Sequence, residues 1–119
     1  METPISQEAL KLIIPEDILA FFELTQVKEH KERIELILTE KQELVPAILK
    51  GKQAVLNGYW NPMELQTFPL KGKACYLKLL RRKWKESGGV KSYGNSYHFD
   101  IEGTKATREF GAFLKEYLR

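Results

Sequence analysis

The amino-acid sequence predicts an α+β fold: short helices at the N-terminus, an antiparallel sheet of about four or five strands, and a C-terminal helix packed on one face of that sheet. Three observations predict it. Apolar and polar residues alternate with a period of two through the middle of the chain, whereas both ends repeat their apolar residues at helical spacing. The 119 residues, 43% hydrophobic and 29% charged, suffice for one core and leave little room for a second, so residues 1–119 read as a single domain. A single cysteine, Cys75, excludes an internal disulfide framework and a Cys-rich zinc site.

The elements follow in order. Ser6 is a good N-cap for a helix over residues 6–13, with Glu8 in its first turn and Ala9, Leu10, Leu12 and Ile13 as its apolar positions. Pro15 ends that helix and opens a further turn or two, in which Ile18, Leu19, Phe21 and Phe22 supply buried surface. The period then changes. Residues 24–28 and 33–39 read as two strands of a hairpin turning at residues 29–32, with a helix over residues 28–41 as the rival reading. Residues 42–62 hold Pro46, Gly51, Gly58 and Pro62, a density of breakers that predicts an irregular crossing. A second hairpin is expected from residues 64–69 and 73–84, with Gly72 at the tip of its turn. Ser87, Gly88 and Gly89 then turn the chain into a partner strand over residues 90–99. From Thr104 onward, Ala106, Phe110, Phe113, Leu114 and Tyr117 share one face at helical spacing, a stripe suited to lie on the sheet.

Charge is distributed unevenly. Residues 1–49 hold five lysines and arginines against ten acids, residues 50–85 hold nine against Glu64 alone, and residues 86–119 balance five against five. The net charge of +3 thus conceals a basic block in which Lys71, Lys73, Lys78, Arg81, Arg82, Lys83 and Lys85 occur with no acid between them. Such asymmetry points to a polyanionic partner. On a continuous strand, Cys75, Leu77 and Leu79 would share a buried face, and Tyr76, Lys78, Leu80, Arg82 and Trp84 the opposite one. That second face could neutralise phosphates, with Trp84 stacking on a sugar or base. The plainer reading is that these cations solvate a strand or guard a sheet edge. Lys50 and Lys52 are weaker candidates of the same block. Apolar runs are too short for a bilayer, which needs about 20 residues, so no membrane partner is expected. The N-terminus lacks a secretory head, and the lone cysteine suits a reducing compartment, so the expected location is cytoplasmic.

Other chemistry is sparse. His98, Asp100 and Glu102, at a spacing of two, would place an imidazole and two carboxylates on one face of a strand, a set able to hold a divalent metal; ending of that strand near Gly103 favours solvated residues instead. Trp60, beside Tyr59, could stack on a base or fill a partner's pocket, although capping the core is the commoner role for a tryptophan. No nucleophile with its base, phosphate-cradling loop or converging acid pair stands out, so no catalytic residue and no cofactor is expected.

Several stretches carry a resemblance to a known family. They are Pro15-Glu16-Asp17-Ile18-Leu19 with Phe22-Glu23-Leu24, then Leu38-Thr39-Glu40-Lys41, then Phe68-Pro69-Leu70-Lys71-Gly72-Lys73-Ala74-Cys75-Tyr76-Leu77 leading into Arg81-Arg82-Lys83-Trp84, and Glu102-Gly103-Thr104-Lys105-Ala106-Thr107-Arg108-Glu109-Phe110 through Phe113-Leu114-Lys115. Over nearly its whole length the chain resembles the N-terminal region of bacterial insertion-sequence transposases of the Aon type. That resemblance implies a non-enzymatic DNA-binding or accessory domain, often a separate small protein beside the catalytic transposase. Its partners would be the element's terminal DNA and the transposase polypeptide, whose carboxylates cut and join strands. A more distant likeness to transposases with an N-terminal zinc ribbon does not extend to the metal, because Cys75 has no companion. An alternative is a protein-interaction module that docks on the transposase through Tyr59, Trp60 and the helix over residues 110–117.

Overall fold

The alternation in residues 22–40 becomes a hairpin. In the computed structural model, which describes residues 6–99 and 105–117, β1 (Phe22–Glu29) pairs antiparallel with β2 (Arg33–Glu40). Before it come α1 (Gln7–Lys11), whose Ser6 cap accepts a hydrogen bond from the Ala9 amide at 3.1 Å, and α2 (Glu16–Leu19), which starts at Pro15. β3 (Ala54–Tyr59) lies in the stretch expected to be irregular, after a single turn of 3-10 helix at Ala47–Leu49. β4 (Met63–Leu70) and β5 (Lys73–Leu80) form the second hairpin, and its two turn residues, Lys71 at φ 55° and Gly72 at φ 73°, both adopt the left-handed backbone that matches the twist of paired strands.

The α+β class holds, but the seven strands among the described residues divide between two sheets in place of one antiparallel sheet of about four or five, and the first sheet is mixed. The first sheet has the order β1-β2-β5-β4, and its central pair, β2 with β5, is parallel. The long connection between β2 and β4 carries the chain across, a turnaround that no short hairpin could make. Beneath this sheet, Ile34, Leu36 and Leu38 of β2 and Cys75, Leu77 and Leu79 of β5 join Leu65, Leu10 of α1, Ile14, Ile18 of α2 and Phe99 in the main core. A Cys75 thiol buried there is a small hydrophobe, its pKa pushed up to about 11 by desolvation.

The strand expected over residues 73–84 breaks at Arg81. Beyond it, β6 (Arg82–Glu86) belongs to a second sheet, paired antiparallel with β3 on one side and β7 (Ser92–Tyr93) on the other. Only those two residues of the stretch 90–99 pair as a strand. No strand of one sheet packs broadly on a strand of the other, and the body measures 49 × 40 × 21 Å, a slab rather than a sandwich. Its radius of gyration of 16.4 Å exceeds the roughly 13.5 Å expected of a compact chain this long.

α3 (Arg108–Tyr117) closes the chain against β4: Phe110 and Phe113 pack on Phe68, and the preceding segment pairs with the strand edge through Gln66, whose amide donates to the Lys105 carbonyl at 2.8 Å. Among the described residues no helix is long and apolar enough to cross a membrane.

Candidate nucleic-acid interface

The break at Arg81 divides the basic block among three places. Lys71 and Lys73 sit at the β4–β5 turn, and both donate to the Glu29 carboxylate, at 3.1 and 2.7 Å. These two lysines hold the Glu29 carboxyl below the ordinary carboxylate range, Lys73 having the larger part. Lys78 lies on the face of β5 opposite the core, where it pairs with Glu35 at 3.2 Å. Glu35 also receives His30 at 2.9 Å and Arg33 at 3.1 Å; the guanidinium of Arg33 reaches Glu64 at 3.0 Å and lies 4.0 Å over the Tyr76 ring. The bond from His30, and after it Lys78 and Arg33, hold the Glu35 carboxyl low against the effect of its burial. Arg81, Arg82, Lys83 and Lys85 lie past the far end of β5, whose eight residues separate them from Lys73 by about 26 Å of strand. The seven cations do not form one patch.

The three-dimensional fold sorts charge more cleanly than the linear sequence does. Residues 22–40 and 63–80, which build the first sheet, hold six lysines and arginines and six glutamates. Residues 44–62 and 81–99, which build the second, hold Lys50, Lys52, Arg81, Arg82, Lys83, Lys85 and Lys91 against Glu86 alone. None of those seven forms an ion pair with a carboxylate among the described residues. Three of them lie over aromatic rings instead: Lys83 over Trp60 at 4.8 Å, Lys91 over Tyr93 at 5.4 Å and Arg82 over Tyr59 at 5.8 Å.

Register assigns the side chains to faces. Val55 is opposite Lys85, which is opposite Ser92, so these three share one face with Lys83 and Asn57; Asn57 donates to the Ser92 hydroxyl at 3.3 Å. No side chain of that face is buried. Leu56, Trp84 and Tyr93 share the other face with Tyr59 and Arg82. Trp84 is only 6% exposed, enclosed on the central strand, so the ring expected to stack on a ligand is withheld from the surface. Gly58, at φ 83°, lies in the bulge between the Leu56–Trp84 and Tyr59–Arg82 pairs.

Glu40, fully buried at the end of β2, joins the two sheets. Its carboxylate accepts from the Arg82 amide at 2.9 Å, from Asn95 at 3.0 Å and from the Tyr97 hydroxyl, while its carbonyl accepts from the Arg82 guanidinium at 2.8 Å. Burial, followed by the Glu40 carboxylate, raises the Tyr97 phenol above its ordinary range. Arg81 donates to the Asn95 carbonyl at 3.1 Å. Arg81 and Arg82 are therefore partly structural.

The remaining candidates separate. His98 is exposed, Asp100 and Glu102 lie outside the described residues, and among the described residues no three His, Cys, Asp or Glu side chains are grouped to hold a metal ion. Along α3, Phe110 is buried whereas Phe113 and Tyr117, stacked on each other, are 49% and 75% exposed. Lys91, Asn57, Tyr93 and Gly94 were not singled out by the basic block, which ends at Lys85; the absence of acids from residues 87–99 is the signal that marks Lys91.

No protein-family model, curated protein or solved structure matches this chain.

Proposed function

We propose that this protein binds DNA as an accessory module of transposition, gripping the phosphate backbone with the three-stranded sheet of β3, β6 and β7. The observation that carries this reading is the contrast in charge pairing within the basic block: Lys71, Lys73 and Lys78 of the first sheet are matched to glutamates, and the cations of the second are not. Lys83 and Lys85 are neighbours on one face of β6, about 6 to 7 Å apart along the strand, a spacing comparable with successive phosphates of one nucleic-acid strand. Neutralising those phosphates releases counterions, and Lys50, Lys52 and Lys91 extend the same field. Lys71, Lys73 and Lys78 serve structure in this reading. DNA as the polymer, a catalytic transposase as companion and the cytoplasm as location come from the resemblance of the chain to insertion-sequence transposases.

The stacked, exposed Phe113 and Tyr117 favour a second surface, one that docks on the transposase without touching DNA. Fluorescence anisotropy of a labelled DNA oligonucleotide, titrated as single strand and as duplex at several salt concentrations, tests the main reading. Binding that weakens steeply and log-linearly with salt supports it. Absence of binding at low salt, with capture of the transposase intact, leaves the docking reading in its place.

A further inference from the structure

Trp60 stands beside the cationic face of the second sheet. It lies outside the main hydrophobic core, at the end of β3, where its amide donates to the Arg81 carbonyl at 3.0 Å. Its indole has Lys83 over one face, with the ammonium 4.8 Å from the ring centroid. Its pyrrole edge rests on Gly94: a Cβ at that position would stand 2.3 Å from Nε1 and 3.0 Å from Cδ1. The φ of Gly94 is not positive, so the position requires glycine for space rather than for backbone freedom. The indole Nε1 is buried there without a hydrogen-bond partner, a cost the fold accepts to keep the ring in this seat. Gly51, Gly58, Gly72 and Gly88 face open space, and a Cβ at Gly89 would come no closer than 3.0 Å to its neighbours.

An indole seated on a glycine and covered by a single lysine of the cationic face is a platform with a removable lid. Among the described residues the lysine is held by the ring quadrupole alone, an interaction of modest strength at a partly exposed site. A phosphate offers that ammonium a full negative charge, and the ring face it leaves can accept a base. We infer that Trp60 stacks one unpaired base of a bound nucleic-acid strand, and that Lys83 uncovers the ring by moving to the adjacent phosphate. This inference rests on the nucleic-acid reading above and adds to it a preference for single-stranded segments, since duplex bases keep their faces stacked on each other. Stacking of this kind is tolerant of sequence, because every base has a π-face.

The test is titration of the 119-residue chain with oligo-dT, read simultaneously by anisotropy of the labelled DNA and by tryptophan emission. Trp84, being buried, contributes a constant background. The expected result is saturable quenching that tracks binding. It disappears in Trp60→Leu, which should bind oligo-dT roughly tenfold more weakly than the parent while keeping its salt slope. The same DNA annealed to oligo-dA should bind without quenching. Lys83→Gln leaves the ring intact, so it should raise acrylamide quenching of the free protein and lower the salt slope by about one. Binding of oligo-dT with unchanged emission, or Trp60→Leu binding as tightly as the parent, overturns the stacking inference and leaves the phosphate grip standing. Failure of every DNA form to bind at low salt overturns both.

Discussion

The two sheets of this small protein are built on opposite electrostatic plans. In the first, a buried apolar face lies under α1 and α2, and on the other face and at the β4–β5 turn Arg33, Lys71, Lys73 and Lys78 each face a glutamate. In the second, only Trp84 among the strand residues is buried, and cations find aromatic rings rather than carboxylates. The difference teaches that a basic run in sequence is not a basic surface. Charges that neutralise each other inside a sheet support its packing, whereas charges left unmatched have free energy to give to a partner.

The contrast can be broken at its strong end first. Leu77 is fully buried in the first sheet, and Leu77→Ala should lower stability by about 3 kcal/mol or more, measured by urea denaturation. Leu56→Ala in the second sheet, where the side chain is 44% exposed, should cost less than about 1 kcal/mol. Glu40→Ala attacks the joint: it strands the Arg82 amide, Asn95 and Tyr97, and a loss of about 3 kcal/mol is expected by the same assay. Gly94→Ala should cost about 1 to 3 kcal/mol through displacement of the Trp60 ring, with a shift in tryptophan emission that Leu56→Ala does not produce.

The smallest effect expected is on pH dependence. Because Glu35 has its carboxyl held low in the folded state, its ion pairs contribute stability above the ordinary carboxylate value of 4.5, and that contribution is lost as pH falls through the lower folded value. Glu35→Gln should therefore flatten the acid limb of the stability curve and leave DNA binding near neutral pH unaltered.

Much of the fold was legible in local pattern. The Ser6 cap, the Pro15 start, the β1–β2 hairpin and the Lys71-Gly72 turn are decided by neighbours in sequence, and each stands where those neighbours indicated. What was not legible depends on distance. The alternation falters at Leu79-Leu80 and Arg81-Arg82-Lys83, and the buried position moves from Cys75, Leu77 and Leu79 to Trp84; that change of phase marks a break but does not show that the chain enters a second sheet. Strand direction is equally silent, which hid the parallel pairing of β2 with β5. β3 was masked by Gly58, whose left-handed backbone makes a bulge rather than a break. The partners of Lys71 and Lys78 lie some forty residues upstream, in Glu29 and Glu35, so the acidic first part of the chain neutralises part of the basic block. Trp60 was visible as a candidate, but its seat on Gly94 exists only in three dimensions.

The central claim, that the unmatched cations of the second sheet grip phosphate while the matched ones do not, is tested most directly by comparing two double variants in the DNA salt titration. Lys83→Ala with Lys85→Ala should reduce the slope of log K against log salt by about two, and Lys71→Ala with Lys73→Ala should leave it unchanged. Equal loss of slope in both pairs, or loss confined to Lys71 and Lys73, would contradict the account.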